Sequence, residues 1–334
     1  MEIDSNFWNG RSVFITGHSG FKGGWLSLWL KEMGANIYGY SLEASTNPNF
    51  FNIINLGYKI HNSVVGDIRD LPGLTKSMQE AKPSVIFHMA AQPLVRQSYK
   101  DPIETFTTNL IGTINVFEAA RKIETVETIV NITTDKCYEN QEWDRPYQET
   151  DRLGGYDPYS SSKACSEIAT SAYRNSFLSE AGIKLASARA GNVIGGGDWA
   201  VDRLIPDFFR SIDNNETLRI RSPQAVRPWQ HVLDPLSGYI MLAEKLVINS
   251  SNYSEAWNFG PEQSGAKTVL WVLDRLSEKF TNSRWEIENT KQHHEASLLK
   301  LDISKAKSKL GWKPRWCLET AIDNTVEWYQ AFKE

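Results

Sequence analysis

Cysteine is scarce: Cys137, Cys165 and Cys317 are three in 334 residues, odd in number and far apart. Such a set excludes a disulfide-built scaffold and points to a reducing cytosol. No apolar run approaches the ~18 residues that a membrane-spanning helix needs. The start, Met1-Glu2-Ile3-Asp4, has neither the basic opening nor the apolar stretch of a signal peptide. A soluble cytoplasmic chain is expected. An excess of one charge is also missing, since 36 Lys+Arg stand against 40 Asp+Glu for a net charge of -4. Without a basic block, neither nucleic acid nor an anionic membrane is expected as a partner. There is no fixed-period repeat and no flexible linker. What remains is ordinary: 41% hydrophobic and 23% charged residues describe a globular chain. At roughly 150 residues per domain, about two domains are expected, packed directly on each other.

The first half alternates β-rich runs with helical ones. The runs are Val13–Thr16, Ile37–Tyr40, a stretch ending at Val65, Val85–Phe87, Ile129–Ile132 and Leu185–Arg189. A long helical segment, about Ile103 to Lys122, precedes the fifth of them. Strands separated by helices at this spacing demand a parallel sheet covered on both faces. The right-handed crossover rule then favours a doubly wound α/β fold. After about residue 190 the texture changes: Gly195-Gly196-Gly197 and several prolines break the alternation, and a tail helix near Leu318–Phe332 closes the chain. The expected division is 1–190 as a Rossmann domain, with a returning segment near 228–250. Residues 191–334 then form mainly a smaller mixed α/β domain.

Gly17, Gly20 and Gly23 follow the first strand and open a helix. A tight turn needs the first glycine, close approach to a pyrophosphate the second, and helix–strand packing the third. The helix N-terminus offers unpaired N–H groups to the phosphates. This context reads as a dinucleotide site. The second strand ends in Ser41, with Glu43 two residues on, where an NAD site carries an acid. No Arg stands close by in sequence to welcome a 2′-phosphate, so NAD is favoured over NADP. Asp67, past the next strand, is either a partner for adenine or the N-cap of the following helix.

Tyr159 and Lys163 lie four apart on a predicted helix and so face the same way. A nearby cation is expected to lower the tyrosine pKa and let the phenolate take a proton from a sugar hydroxyl. Thr134-Asp135-Lys136 falls just beyond a strand's C-terminal end, the edge where open α/β sheets bind ligands. The ordered set Gly17/Gly20/Gly23, Asp67, His88-Met89-Ala90-Ala91-Gln92, Asn109, Thr134-Asp135-Lys136, Tyr159/Lys163 and Arg189-Ala190-Gly191-Asn192 resembles the extended short-chain dehydrogenase/reductases that act on nucleotide sugars. The resemblance runs to Leu310-Gly311-Trp312 and the helix after it. Thr-Asp-Lys, Gly195–Trp199 and Arg227–His231 are most similar to the CDP-glucose 4,6-dehydratase group.

That resemblance implies NAD as cofactor and CDP-glucose as substrate. It implies Phe21, Lys22, Ile68, Ala90, Gln92 and Asn109 beside the cofactor, together with the glycines, Ser41 and Asp67. Tyr159 would act with Lys163 at the carbon-4 hydroxyl, and Thr134 would bond the carbon-4 oxygen. Asp135 would be the acid and Lys136 the base of water elimination across carbons 5 and 6. Lys136 would then need its pKa pushed down and Asp135 its pKa pushed up. Asn192, Arg203, Arg221 and Arg227 are implied around the nucleotide, with His294 and Glu295 lining its pocket. His293-His294 has no third ligand at zinc-like spacing, so no metal is expected. Relatives pair through two long helices, here about Ile103–Lys122 and Tyr159–Glu180, giving homodimers or homotetramers. Two rivals stay open: a 4-epimerase, which would share all but Asp135-Lys136, and a non-catalytic dinucleotide-binding module.

Overall fold

Seven strands form the central sheet, and in its inner strands apolar residues run on without alternating, because both faces are covered. In the computed structural model, which describes residues 3–288 and 296–334, these strands are β1 Ser12–Thr16, β2 Asn36–Ser41, β3 Asn62–Val65, β4 Val85–His88, β5 Thr128–Ile132, β6 Lys184–Ala190 and β7 Ala256–Phe259. Every residue of β4 and β5 is buried, whereas the edge strand β3 is half exposed. The strand order is β7-β6-β5-β4-β1-β2-β3, and every pairing is parallel. Chain direction across the sheet reverses between β1 and β4, which places a crevice outside their C-terminal ends. There Thr16 lies level with His88, and Ile132 with Ala188, so the loops after β1, β4 and β5 share one edge.

Two helical layers cover the sheet. On one face pack α1 (Phe21–Glu32) and a later helix, Leu233–Asn249, through Leu26, Leu30, Leu236, Ile240 and Leu246. On the other pack α2 (Leu71–Ala81) and the long α3 (102–120), through Leu74, Met78, Val116 and Phe117. α3 contains a π turn at Thr107–Ile111. The next helix, α4 (Pro158–Tyr173), begins with Pro158 in its first turn and Asp157 as its N-cap. Asp157 accepts from the Ser160 backbone at 2.9 Å and from the Ser160 hydroxyl at 2.6 Å. That double cap fixes the first turn, and with it the side chain of Tyr159.

A third core joins helices Leu204–Asp213, Val269–Ser277 and Leu318–Lys333 through Phe208, Phe209, Leu273, Ile322 and Tyr329. It meets the glycine loop through aromatics. Trp25 donates to the Gly196 carbonyl at 2.9 Å, and a Cβ on Gly196 would lie 2.1 Å from the Trp328 ring. One element was not legible in the sequence: β7, a four-residue Ala-Trp-Asn-Phe strand from far beyond residue 190, completes the sheet beside β6. Among the described residues no helix is long and apolar enough to cross a membrane.

Candidate active site

The glycine loop is shaped by what a side chain would hit. Gly17 has φ +77°, and a Cβ there would lie 2.7 Å from the Ala90 nitrogen. A Cβ on Gly23 would lie 2.1 Å from the Gly17 carbonyl oxygen, so helix and turn touch backbone to backbone. Gly20 is different: its nearest protein atom would be 3.4 Å away, which leaves room beside the N-terminus of α1. Next to this turn, Thr16 Oγ1 accepts from the Met89 and Ala90 backbones and meets His88 Nδ1 at 2.7 Å. The far nitrogen of His88 reaches Thr113 Oγ1 at 3.0 Å, and burial holds the ring neutral with its pKa pushed down to about 3.

The other residues expected at the cofactor fall into two kinds. Asn109, in the π turn of α3, spends its amide on the Gln92 backbone (2.9 and 3.0 Å) and on Ser162 Oγ (2.9 Å). Gln92 in turn bonds Leu94 and Thr105. Both therefore shape the loop after β4 rather than offering free polar groups. Ile68 is buried, and its carbonyl accepts from Asn115. Ser41 Oγ lies 3.1 Å from His18 Nδ1 and 2.9 Å from Ser19 Oγ, so the hydroxyl standing in place of an acid ties down the glycine loop. His18 also meets Ser63 Oγ at 2.7 Å, and burial pushes its pKa down to about 4. Asp67 is not a helix cap. The cap of α2 is Asp70, which accepts from Gly73, while Asp67 holds the Arg69 guanidinium at 2.5 Å.

A cleft of about 510 Å³ opens at the same edge of the sheet, and Thr134, Asp135, Lys136, Tyr159 and Lys163 all line it. Asp135 is 2% exposed; its Oδ1 accepts from Thr134 Oγ1 at 3.0 Å, and its Oδ2 has no hydrogen-bond partner among the described residues. Burial raises its pKa, and the neighbouring Lys136, Thr134 and Arg227 only partly oppose this. Tyr159 departs from the sequence reading. Burial pushes its pKa up to about 12; the Thr134 side chain, its hydrogen-bonding partner, and the Arg203 charge oppose that rise. Lys163 instead directs its ammonium at the Ile132 carbonyl, 3.3 Å away, and burial lowers its own pKa to about 8 despite the nearby Glu167 carboxylate.

Lys22, expected beside the cofactor, lines the catalytic-side cleft as well. It points from α1 into the cleft, donates to Tyr239 Oη at 2.9 Å, and has its pKa lowered to about 7 by burial and by the Lys163 and Arg203 charges. Asn192, Arg203, Arg221 and Arg227 line the same cleft. Arg203 is clamped by Asp198 at 2.8 Å, and Arg221 stands 3.8 Å from Asp202. Asp202 also binds Arg96 at 2.9 Å, a cleft residue for which the sequence carries no signal. His294 and Glu295 lie outside the described residues. No group of three or more His, Cys, Asp or Glu among the described residues is placed to hold a metal ion.

Behind the strand end, Glu167 accepts from Thr133, Ser187 and Arg189, all buried. Sequence reasoning passed over this carboxylate, although it stands four residues after Lys163, on the same helix face.

Fold and cleft together define a Rossmann-type enzyme whose sheet edge carries Tyr159 and Lys163 beside Asp135 and Lys136. Residues 14–325 match the GDP-mannose 4,6 dehydratase family, and the chain belongs to it. It is 52% identical to the CDP-glucose 4,6-dehydratase of Salmonella typhimurium, over 99% of this chain and 93% of that protein. It is 26% identical to the dTDP-glucose 4,6-dehydratase of the same organism, over 96% and 92% of the two chains. Among solved structures, a UDP-glucose 4-epimerase from Thermotoga maritima superposes with a TM-score of 0.83 at 24% identity, covering 96% of this chain and 99% of that one. A dTDP-glucose 4,6-dehydratase from Bacillus anthracis, in complex with NAD, gives 0.79 at 21% identity, covering 96% and 97%. These two likenesses concern the fold.

Proposed function

We propose that the chain is an NAD-dependent hydro-lyase that converts CDP-glucose to CDP-4-keto-6-deoxyglucose and water. One observation carries this reading: Asp135 and Lys136 share a single cleft with Tyr159 and Lys163. A 4-epimerase needs only the second couple, whereas loss of water across adjacent carbons needs an acid and a base as well. The 52% identical relative supports the choice of CDP-glucose.

The glycine turn fits a dinucleotide, because the space beside Gly20 is open and the N-terminus of α1 faces it. NAD, when bound there, supplies the acceptor and donor of hydride. The side chains do the rest. Tyr159 receives the proton of the carbon-4 hydroxyl, and Thr134 bonds the carbon-4 oxygen. The ketone so formed acidifies carbon 5, where Lys136 removes a proton. Asp135, whose pKa burial raises, protonates the departing carbon-6 hydroxyl. Arg203, Arg221 and Arg227 offer forked donors to a diphosphate or a base, with Asn192 beside them.

The same reading divides the chain into a cofactor-binding part, 1–190, with a segment near 228–250 returning to it, and a mainly substrate-binding part, 191–334. It also has the enzyme working in the cytoplasm as a homodimer or homotetramer. Exposed Ile103, Ile111, Ile168 and Phe177 on α3, α4 and the turn after it support pairing through those helices.

The test is product mass after incubation with CDP-, dTDP-, GDP- and UDP-glucose, with and without added NAD. Loss of one water from CDP-glucose alone is expected. Water lost from a different nucleotide sugar would move the base preference. An isomer of unchanged mass would make the protein an epimerase, and binding without any conversion would make it a silent module.

A further inference from the structure

Among the described residues, eight lysines and arginines line the cleft against four aspartates, although the whole chain carries a net charge of -4. A cleft of that sign draws anions. Its four aspartates differ in what they hold. Asp135 belongs to the reacting end, and Asp207 pairs with Arg210 one turn along its own helix. Asp198 is buried, accepts from the Ala200 backbone at 3.1 Å and holds Arg203 at 2.8 Å, as a fixed part of the wall. Asp202 is the accessible one, with its side chain 33% exposed. A single oxygen, Oδ1, faces two guanidinium groups: Arg96 Nη1 at 2.9 Å and Arg221 Nη1 at 3.8 Å.

Those two arginines come from distant parts of the chain. Arg96 stands on the short helix Val95–Lys100 after β4, and Arg221 directly follows the short strand Leu218–Ile220. The carboxylate between them does what the proposed function, on which this inference rests, asks of the substrate's diphosphate. We infer that Asp202 is an internal stand-in for a substrate phosphate, and that Arg96 and Arg221 form the clamp for which the two anions compete. Arg96 is thereby a substrate-binding residue.

The geometry suits an exchange. Arg96 and Asp202 are 43% and 33% exposed, and ion pairs so open to water contribute little to stability. A diphosphate carries more charge and more acceptor oxygens than one carboxylate, and it matches guanidinium forks in pairs. Because one anion replaces another, both arginines keep a negative neighbour before and after binding. The consequence is weaker nucleotide binding than the clamp alone would give, and a product that leaves sooner.

The experiment is a calorimetric titration of the NAD-loaded enzyme. Its ligand is whichever of CDP, dTDP, GDP and UDP the wild type binds tightest, CDP being expected. Asp202 has φ +61°, a left-handed backbone that Asn and Gly accept, so Asp202→Asn and Asp202→Gly both remove the charge without forcing the turn. Either should tighten the diphosphate about tenfold, and Arg96→Met should weaken it about tenfold, the size of one charge-assisted hydrogen bond. In the Arg96→Met background the gain from Asp202→Asn should shrink to about threefold or less, because the two residues act on one contact. Cytidine, which has no phosphate, should bind wild type and variants alike. A gain equally large in both backgrounds marks a general effect of charge and overturns the stand-in. Unchanged or weaker diphosphate binding when Asp202 is replaced overturns it too, as does unchanged binding in Arg96→Met. A wild type that binds none of the four diphosphates overturns the proposed function and the stand-in with it.

Discussion

Glu167 and Arg189 form an ion pair at 2.7 Å with side chains only 3% and 4% exposed, directly behind the strand end that carries Thr133, Thr134 and Asp135. Arg189 also donates to Tyr138 Oη at 2.9 Å and to the Glu149 carbonyl, so one guanidinium ties β6 to the loop beyond β5. Removing one partner of such a pair leaves the other charge buried and alone, which costs about 3–5 kcal/mol. Glu167→Gln should therefore lower unfolding stability by about that amount, read from the denaturant midpoint. Replacing both residues by apolar ones should cost less than the single change. The pH dependence has a definite sign. Arg189 and the hydroxyl donors hold the Glu167 pKa below its ordinary value against burial. Its stabilisation is thus present above the unfolded carboxylate pKa of about 4.3 and lost as pH falls through the lower folded value. The gap between wild type and Glu167→Gln should close in acid.

Lys22 gives the opposite trend. Burial and the cations Lys163 and Arg203 lower its pKa to about 7 against the pull of Asp135, and the neutral Tyr239 hydroxyl accepts its hydrogen bond. The unfolded chain keeps the lysine proton up to its ordinary value of about 10.4, so between the two pKa values the unfolded state binds more protons. Stability then rises with pH above about 7 and is poorest below it. Lys22→Met should raise the melting temperature near pH 6, and by roughly half as much or less near pH 9. Melting curves at the two pH values decide it, and an equal shift at both would mean that the charge is not what the site resists.

Asn109 links the loop after β4 to α4, the helix that carries Tyr159. Its amide joins the Gln92 backbone to Ser162, one turn from Tyr159, across a π turn that brings an extra residue into α3. Asn109→Leu leaves a Gln92 N–H and carbonyl without their partner, at about 2 kcal/mol. Because the Gln92 loop abuts the glycine turn, the variant should also bind NAD about tenfold more weakly, as measured by titration of the apo protein. The conservative Asn109→Asp keeps only the acceptor and should fall between.

How much of this was legible follows from what each residue does. Strands β1 to β6 announce themselves because burial on both faces forces runs such as Val13-Phe14-Ile15 and Ile129-Val130. β7 does not, because Asn258 interrupts four residues to bond Tyr138 and the backbones of Tyr147 and Asp302, a need that only the folded loop creates. Thr134-Asp135-Lys136 and Tyr159/Lys163 were legible as residues of one site, since each group lies within a few residues of chain, and all five line the cleft. Charge states were not. Lys163, four residues after Tyr159, suggested an acidified phenol, but burial pushes the phenol pKa up and the ammonium turns to the Ile132 carbonyl. Lys22, Arg96 and Glu167 take their roles from neighbours hundreds or tens of residues away, and no local spacing encodes that.

Lys136 tests the division of labour in the cleft. Asp135 and Lys136 lie side by side on the short turn Asp135–Cys137, with Thr134 as its cap accepting from the Lys136 backbone at 3.3 Å. The turn holds the lysine stem at the cleft wall, so truncating the side chain leaves the turn, Thr134 and Tyr159 in place. Lys136→Ala should keep oxidation at carbon 4, seen as reduced-cofactor absorbance on adding CDP-glucose. Water loss should fall by 10²–10⁴-fold, about what a positioned general base contributes. Reduced cofactor should then accumulate, because carbon 6 never becomes able to take the hydride back. A variant that dehydrates at the wild-type rate would assign the carbon-5 proton to another base. Lys22, whose pKa near 7 leaves it part neutral in the same cleft, would be the next to replace.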